Sequence, residues 1–370
     1  MVKVFLTGIT GYTGGDIFHV LEKTHPDFEY SVLVRNESKA APVKAKYPNV
    51  RIVYGTLDDS KVLEEEASKT DILIHTADAS DHEGAAKAFA AGLAAGHSKE
   101  KPGYWIHTGG TGILTYQDTD ADRYGQPLAY EPYNDLEGID ALTGLPDHAF
   151  HRNVDKIVLT AAEHPAIKAA IICPPTIYGK GRGVDNTKSR QVYVMANMTL
   201  KRGRAPIIGT GKASMDNVHV HDLTDLYIRQ VEAALNPKPE IDAHIWGPKE
   251  GYLLAEGGYH VWGEVAKWVA EAAHAKGYIK DTTLEVNFPS GPFSPTVAES
   301  MLIPLKPLDV AEAKEIAGFE AASYGLNSRG YAKRARKYLG WNPSAPSLKE
   351  EVPNIVDVEA ALLGLKPSKP

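Results

Sequence analysis

A single cysteine, Cys173, in 370 residues leaves no partner for an intramolecular disulfide and excludes a multi-cysteine zinc site. Basic residues form no long run, and 40 Lys and Arg stand against 47 Asp and Glu, a formal net charge of -7. A nucleic-acid or acidic-membrane surface is therefore a poor match. No apolar stretch approaches the roughly 20 residues that a membrane span requires. Met1-Val2-Lys3-Val4-Phe5-Leu6 runs straight into a glycine turn with no signal-peptide core ahead of it, so a cytoplasmic protein is expected. What is present is ordinary for a globular chain, 43% hydrophobic and 24% charged. The length suits two domains, or one nucleotide-binding domain with a large appended lobe. Small-molecule chemistry is the function class these absences leave.

Apolar runs recur with helical stretches between them. Val4-Phe5-Leu6, Tyr30 to Val34, Val50 to Tyr54, Asp71 to His75, Tyr104 to His107 and Ala169 to Cys173 read as strands. Asp16 to Lys23 places Ile17, Val20 and Leu21 on one helical face, and the alanine-rich Ala85 to Ala95 favours helix. This alternation predicts an α/β fold built on a Rossmann-type, doubly wound parallel sheet. Residues 113–150 are acidic, rich in Tyr, Asp and Gly, and too long for a routine connection, which marks a functional loop. From about 176 the pattern turns mixed, with Pro- and Gly-rich stretches at Phe288 to Pro295 and Pro304 to Pro307 and amphipathic helices near Val261 to Ala275 and Gly330 to Tyr338. The expected division is a nucleotide domain over 1–175 with 217–248 returning to it, and a smaller mixed α/β C-terminal lobe for substrate over 176–216 and 249–370. Only Lys366 to Pro370 reads as disordered.

The turn Thr7-Gly8-Ile9-Thr10-Gly11-Tyr12-Thr13-Gly14 lies between a strand and a helix, the setting that gives such a motif meaning. One glycine permits the tight turn, another lets the backbone approach a pyrophosphate, and the third lets helix pack on strand, while the helix N-terminus offers N–H groups to phosphate. A nicotinamide dinucleotide is the expected ligand. The second strand ends Val34-Arg35-Asn36 with no carboxylate immediately before the arginine. A guanidinium suits a 2′-phosphate, which favours NADP(H) over NAD(H), with Ser38 and Lys39 as helpers. The alternative is Glu37 on an unphosphorylated ribose.

These residues resemble the extended short-chain dehydrogenase/reductase superfamily, whose members include nucleotide-sugar epimerases and dehydratases. The resemblance extends to Asp71-Ile72-Leu73-Ile74-His75-Thr76-Ala77, to Cys173-Pro174-Pro175-Thr176-Ile177-Tyr178-Gly179 and to Asn217-Val218-His219-Val220-His221-Asp222-Leu223, and so covers nearly the whole chain. It implies a cofactor lined by Gly8, Thr10, Gly11, Tyr12, Thr13, Gly14, Arg35, Asn36, Leu57, His75, Thr76, Ala77, Thr108, Lys156, Pro174, Thr176 and Ile177. It also implies a small-molecule substrate near Asp78, Gly110, Tyr116 and Tyr178, and a homodimer through a helical face of the nucleotide domain.

The family works with a Tyr-x-x-x-Lys pair and a Ser or Thr. Here Lys156 is the match for the lysine, and Arg152, not Tyr, stands four residues before it. Gly110 falls where the hydroxyl belongs, with Thr111 or Thr108 as a displaced substitute. An arginine is permanently protonated, so it serves only to stabilise developing negative charge. His151 titrates in the useful range, but one residue off the expected position it points about 100° away, which makes a surface histidine the plainer reading. Tyr116, Tyr130 and Tyr133 in the long loop are further acid candidates. His219 and His221 share a strand face but lack a third ligand at local spacing, so no metal is expected. Three readings stay open: an NADPH-dependent reductase of a small carbonyl or conjugated substrate, an epimerase or isomerase that retains its dinucleotide, and an NADP(H)-sensing protein without catalysis.

Overall fold

The central layer is a seven-stranded, all-parallel sheet. It is made of β1 (Lys3–Thr7), β2 (Glu29–Val34), β3 (Arg51–Tyr54), β4 (Ile72–His75), β5 (Gly103–Thr108), β7 (Ile167–Cys173) and β11 (Tyr252–Leu254), in the order β11-β7-β5-β4-β1-β2-β3. A computed structural model describes residues 1–287 and 322–368 of the chain. The strands are the apolar runs of the sequence, and most of their side chains are buried, as a sheet covered on both faces requires. The helices α1 (Tyr12–Thr24) and α9 (Val220–Leu235) pack together, while α3 (Ser60–Lys69), α4 (Glu83–Gly96) and α7 (Arg152–Ala161) pack in succession. Right-handed crossovers from β1 outward in two directions put these two groups on opposite faces. The helix α2 (Glu37–Lys46) connects β2 to β3.

A second layer holds β8 (Thr176–Tyr178), β10 (Ser214–His219) and β12 (Gly258–Val261) in one small sheet, and β9 (Ala205–Ile208) pairs with β13 (Leu284–Asn287). Its own core brings α8 (Gln191–Arg202), α11 (Trp262–Ala275) and the last helix, Leu348–Leu362, around Met195, Trp262, Tyr324 and Ile355. Ser347 and Glu350 close a reciprocal capping box on that last helix.

The α/β class and the doubly wound sheet match the expectation; the boundaries differ in places. The large sheet continues to β11, past the expected return limit at 248, because Tyr252, Leu253 and Leu254 pair with β7. Ala332, Ala335 and Trp341 likewise join the first core rather than the second. The helix α1 begins at Tyr12, since its first turn is made by the glycine motif itself. The loop over 113–150 is tied down: α5 (Tyr116–Asp120), β6 (Tyr133–Asn134) and α6 (Ile139–Thr143) punctuate it, and Asp118 accepts from the backbone and side-chain N–H groups of Asn327. Ser368, in the tail expected to be disordered, donates to Lys276 O. The Pro-rich stretches at 288–295 and 304–307 lie outside the described residues.

A row of polar side chains crosses the sheet in register, Thr7 beside His75 and His75 beside His107. Thr7 Oγ1 and His75 Nδ1 are 2.6 Å apart, but His75 Nε2 and both ring nitrogens of His107 find no partner among the described residues. Burial penalises the charged imidazoles, holding His75 well below its ordinary value and His107 down at about 3. In the unfolded chain both would take a proton near pH 6.5. Their contribution to stability is therefore full above that pH and is lost as pH falls from there towards 3. Buried Asp135 and Asp155, each pushed up to about 6 by desolvation, act in the opposite direction. A single variant separates the two effects. His107→Leu is expected to reduce the pH slope of unfolding free energy between pH 6 and 4 by up to about 1.4 kcal/mol per pH unit. Urea unfolding at several pH values measures it, and an unchanged slope contradicts the buried neutral histidine.

Candidate cofactor and active site

At the end of β1 the chain turns through Gly8 at φ +91, a conformation open to glycine. A Cβ on Gly8 would collide with Thr76 Oγ1, and one on Gly14 would collide with both Thr76 Oγ1 and Gly8 O. Gly11 caps α1 with no side-chain hydrogen bond, so the first-turn N–H groups of Tyr12, Thr13 and Gly14 face outward with the positive end of the helix dipole. That cradle fits a pyrophosphate. Thr76 and Thr108, expected at the cofactor, tie the strand ends instead: Thr76 Oγ1 donates to Thr7 O at 2.7 Å, and Thr108 Oγ1 to His75 O at 2.9 Å. Ala77 follows directly, its N–H near Thr7 Oγ1.

Beyond β2, Arg35 is exposed and makes no ion pair with a described residue. Asn36 caps α2 by accepting from Lys39 N–H at 3.1 Å, and Ser38 Oγ donates to the same oxygen. Glu37, the alternative ribose ligand, is taken by Lys44 and the Tyr54 hydroxyl. Leu57 is half-buried against the core just after β3.

The other end of the site lies where β5 runs out into Gly109-Gly110-Thr111 and meets the start of α7. His151 caps α7 in the left-handed region, φ +69, which a non-glycine residue rarely adopts and which marks functional positions. The twist turns its ring inward, leaving the side chain only 10% exposed. Nδ1 lies 2.6 Å from Asp81 Oδ1, and this bond holds the Asp81 carboxyl below the usual range. Phe150 lies against the ring. On the far side Nε2 faces two glycines: a Cβ on Gly110 would stand 3.2 Å from it, and one on Gly112 3.3 Å. Four residues on, Asp155 is wholly buried beneath Gly109, accepting from the Tyr252 hydroxyl at 2.8 Å, with its other oxygen unpartnered.

The residues chosen from sequence as the catalytic pair face elsewhere. Arg152 is buried, but its guanidinium donates to the carbonyls of Thr143 and Leu145 and so locks α6 to α7. Lys156 lies on the exposed outer face of α7, paired with Asp147 at 2.8 Å. The register of the helix brings His151 and Asp155 to β5, one residue earlier. A spacing of four fits both pairs, and in the structure it is His151 and Asp155, not Arg152 and Lys156, that face β5.

Thr111 is buried, its N–H on Pro174 O and its carbonyl accepting from Ser328 Oγ. Tyr116 and Tyr133 hold their hydroxyls 3.3 Å apart, with Gln117 Nε2 on the latter, while Tyr130 donates to backbone carbonyls. Tyr178 is turned into the second core with its hydroxyl on Pro346 O, and Thr176 is buried near Met215. Ile177 packs against the first core, and the Tyr12 hydroxyl donates to Gly179 O. Asp78 is exposed at φ +44 after β4. His219 accepts from His221 N–H at the start of α9, and His221 Nε2 lies 3.1 Å from Lys180 O. Asp81, Asp155 and Tyr252 escaped the sequence analysis, because each acts only across the fold.

The family model for the NAD dependent epimerase/dehydratase family matches residues 149–242, and that for the semialdehyde dehydrogenase NAD binding domain matches residues 3–97. Oxidase ucsJ of an Acremonium species is 35% identical over 370 residues, spanning 98% of this chain and 99% of its own. Among solved structures, the dTDP-glucose 4,6-dehydratase of Bacillus anthracis in complex with NAD is similar at a TM-score of 0.62 and 11% identity, with 98% and 97% of the two chains covered. The UDP-glucose 4-epimerase of Thermotoga maritima with UDP-glucose is similar at 0.61 and 14%, with 98% and 100% covered. At such identities these two speak for the fold.

Gly14→Ala is expected to weaken binding of a nicotinamide dinucleotide by more than about tenfold, because the added methyl forces the turn away from Thr76 and disturbs the phosphate cradle. A fluorescence titration reads this, and unaltered binding contradicts the placement of the pyrophosphate.

Proposed function

Because the chain belongs to the NAD-dependent epimerase/dehydratase family of the extended short-chain dehydrogenase/reductase superfamily, we propose that it is an NADP(H)-dependent reductase of a small carbonyl or conjugated substrate, with His151 as the proton donor. The observation that carries this reading is the His151 ring, fixed by Asp81 on one nitrogen and aimed over Gly110 with the other. The name of the oxidase relative favours redox turnover over an internally balanced isomerisation. The preference for NADP(H) rests on Arg35, with Glu37 occupied by Lys44 and Tyr54.

The reduced nicotinamide, when bound, supplies the hydride that goes to the carbonyl carbon. The oxygen then needs a proton, and His151 Nε2–H is the donor placed where the family's hydroxyls would stand. Asp81 is an acceptor, so Nδ1 carries hydrogen both before and after the transfer, and only the Nε2 proton leaves. Asp81 is thus a positioning residue: it fixes the tautomer and stabilises the imidazolium. Gly110 and Gly112 leave the space that the imidazole needs. Arg152 holds the hairpin from which Phe150 and His151 project, and Phe150 screens the ring from water.

His151→Asn tolerates the left-handed backbone and removes the acid. It is expected to lower kcat for NADPH oxidation with aldehydes, ketones or enones about 100-fold or more, with NADPH affinity kept. Asp81→Asn is expected to cost about tenfold in kcat, since the ring loses the carboxylate that orients it. Lys156→Ala, on the outer face, is expected to stay within about twofold of the parent. Full activity in the His151 variant, or its loss in the Lys156 variant, overturns the assignment.

A further inference from the structure

Between β8 and α8 the chain, residues 179–190, does not cross to the second lobe directly but lies as a strap over the N-terminal end of α1 and against α2, touching Lys39 in its first turn and Lys46 at its end. Arg182 anchors it. Its backbone N–H, Nε and NH2 reach the carboxylate of Asp16 at 2.6 to 2.9 Å, and that carboxylate, wholly buried, also accepts from Thr224 Oγ1 at 2.6 Å. Glycines allow close contact, since a Cβ on Gly15 would come within 3.0 Å of the Gly183 Cα. Asn186 N–H donates to Thr10 O at 3.2 Å, inside the glycine turn itself. Lys46 Nζ holds the Arg182 carbonyl at 3.0 Å.

These fixed points leave Asp185 at the rim of the glycine turn, where its carboxylate takes Lys39 Nζ at 2.6 Å. Lys39 belongs to the first turn of α2, four residues after Arg35 and three after the cap Asn36. It therefore stands in the cluster to which the NADP(H) reading, on which this inference rests, assigns the ribose phosphate.

We propose that Asp185 is a specificity-determining residue that competes with the 2′-phosphate of NADP(H) for Lys39 and so narrows the preference for NADPH over NADH. A lysine ammonium is a compact charge on a flexible stem and can swing from carboxylate to phosphate. If it swings, the strap loses its tie to α2; if it stays, the phosphate meets a carboxylate across a few ångströms. NADH presents only a hydroxyl there and leaves the pair intact. Both side chains of the pair are part-exposed, at 42% and 33%, so solvent screens the effect and keeps it modest.

The test is the dissociation constants of NADPH and NADH for the full chain, D185N, K39A and the double variant, by fluorescence titration at low and high salt. D185N is expected to tighten NADPH about fivefold while leaving NADH unchanged, with the gain shrinking at high salt. It is expected to shrink in the K39A background, where only the direct repulsion between carboxylate and phosphate is left. A parent that prefers NADPH but shows the same NADPH to NADH ratio in D185N overturns the role of Asp185 and leaves the cofactor reading standing. A gain of the same size without Lys39 also overturns it, because competition for the lysine would then contribute nothing. Tighter binding of NADH than NADPH in every form, with R35A changing neither, overturns the cofactor reading and this proposal together.

Discussion

With no side chain at Gly8 or Gly14, the end of β1 lies so close to the end of β4 that Thr76 Oγ1 reaches Thr7 O at 2.7 Å. The rest of the site depends on that contact. It lets α1 start immediately beyond the strand, with its uncapped N–H groups at the carboxyl edge of the sheet, where ligands bind in doubly wound folds. It also fixes the loop after β4, which carries Asp81 across to α7. One backbone approach thus sets both the glycine-turn cradle and the loop that reaches His151 through Asp81.

On the proposed reading, the far end of the site shows a concerted exchange of residues. Where the family uses a hydroxyl on the β5 edge and a phenol on the following helix, this chain has Gly110 and His151. The two changes explain each other, because a side chain at 110 would crowd Nε2 at 3.2 Å. Asp155 occupies the position four residues after His151 and is buried under Gly109 with Tyr252, too enclosed to replace an exposed ammonium. Its carboxyl is pushed up to about 6 by burial, and the Tyr252 hydroxyl keeps part of it satisfied.

The sheet was legible because each of its central strands is an apolar run separated by a helical stretch, and the glycine spacing carries its own steric reason. Boundaries were less legible where later segments return: β11 and Trp341 join the first core through pairing and packing that no local pattern encodes. Which face of α7 turns towards β5 was not legible for a specific reason. A helix that begins with a left-handed residue shifts which side chains face inward, and a positive φ at His151 leaves no mark in composition or periodicity. Asp81, between Asp78 and Glu83, and Asp185 carry no distinguishing pattern in sequence, and only the fold brings each to its imidazole or cation.

In the proposed site the glycine turn and the His151–Asp81 pair are the two ends of one dinucleotide cleft. A crystal structure of the chain grown with NADP+ is the decisive measurement. The pyrophosphate is expected on the N–H groups of Tyr12, Thr13 and Gly14 and the nicotinamide beside His151 Nε2, with Lys156 outside the site. A dinucleotide seated away from the turn, or a nicotinamide held by Lys156 with His151 turned out to solvent, would contradict it.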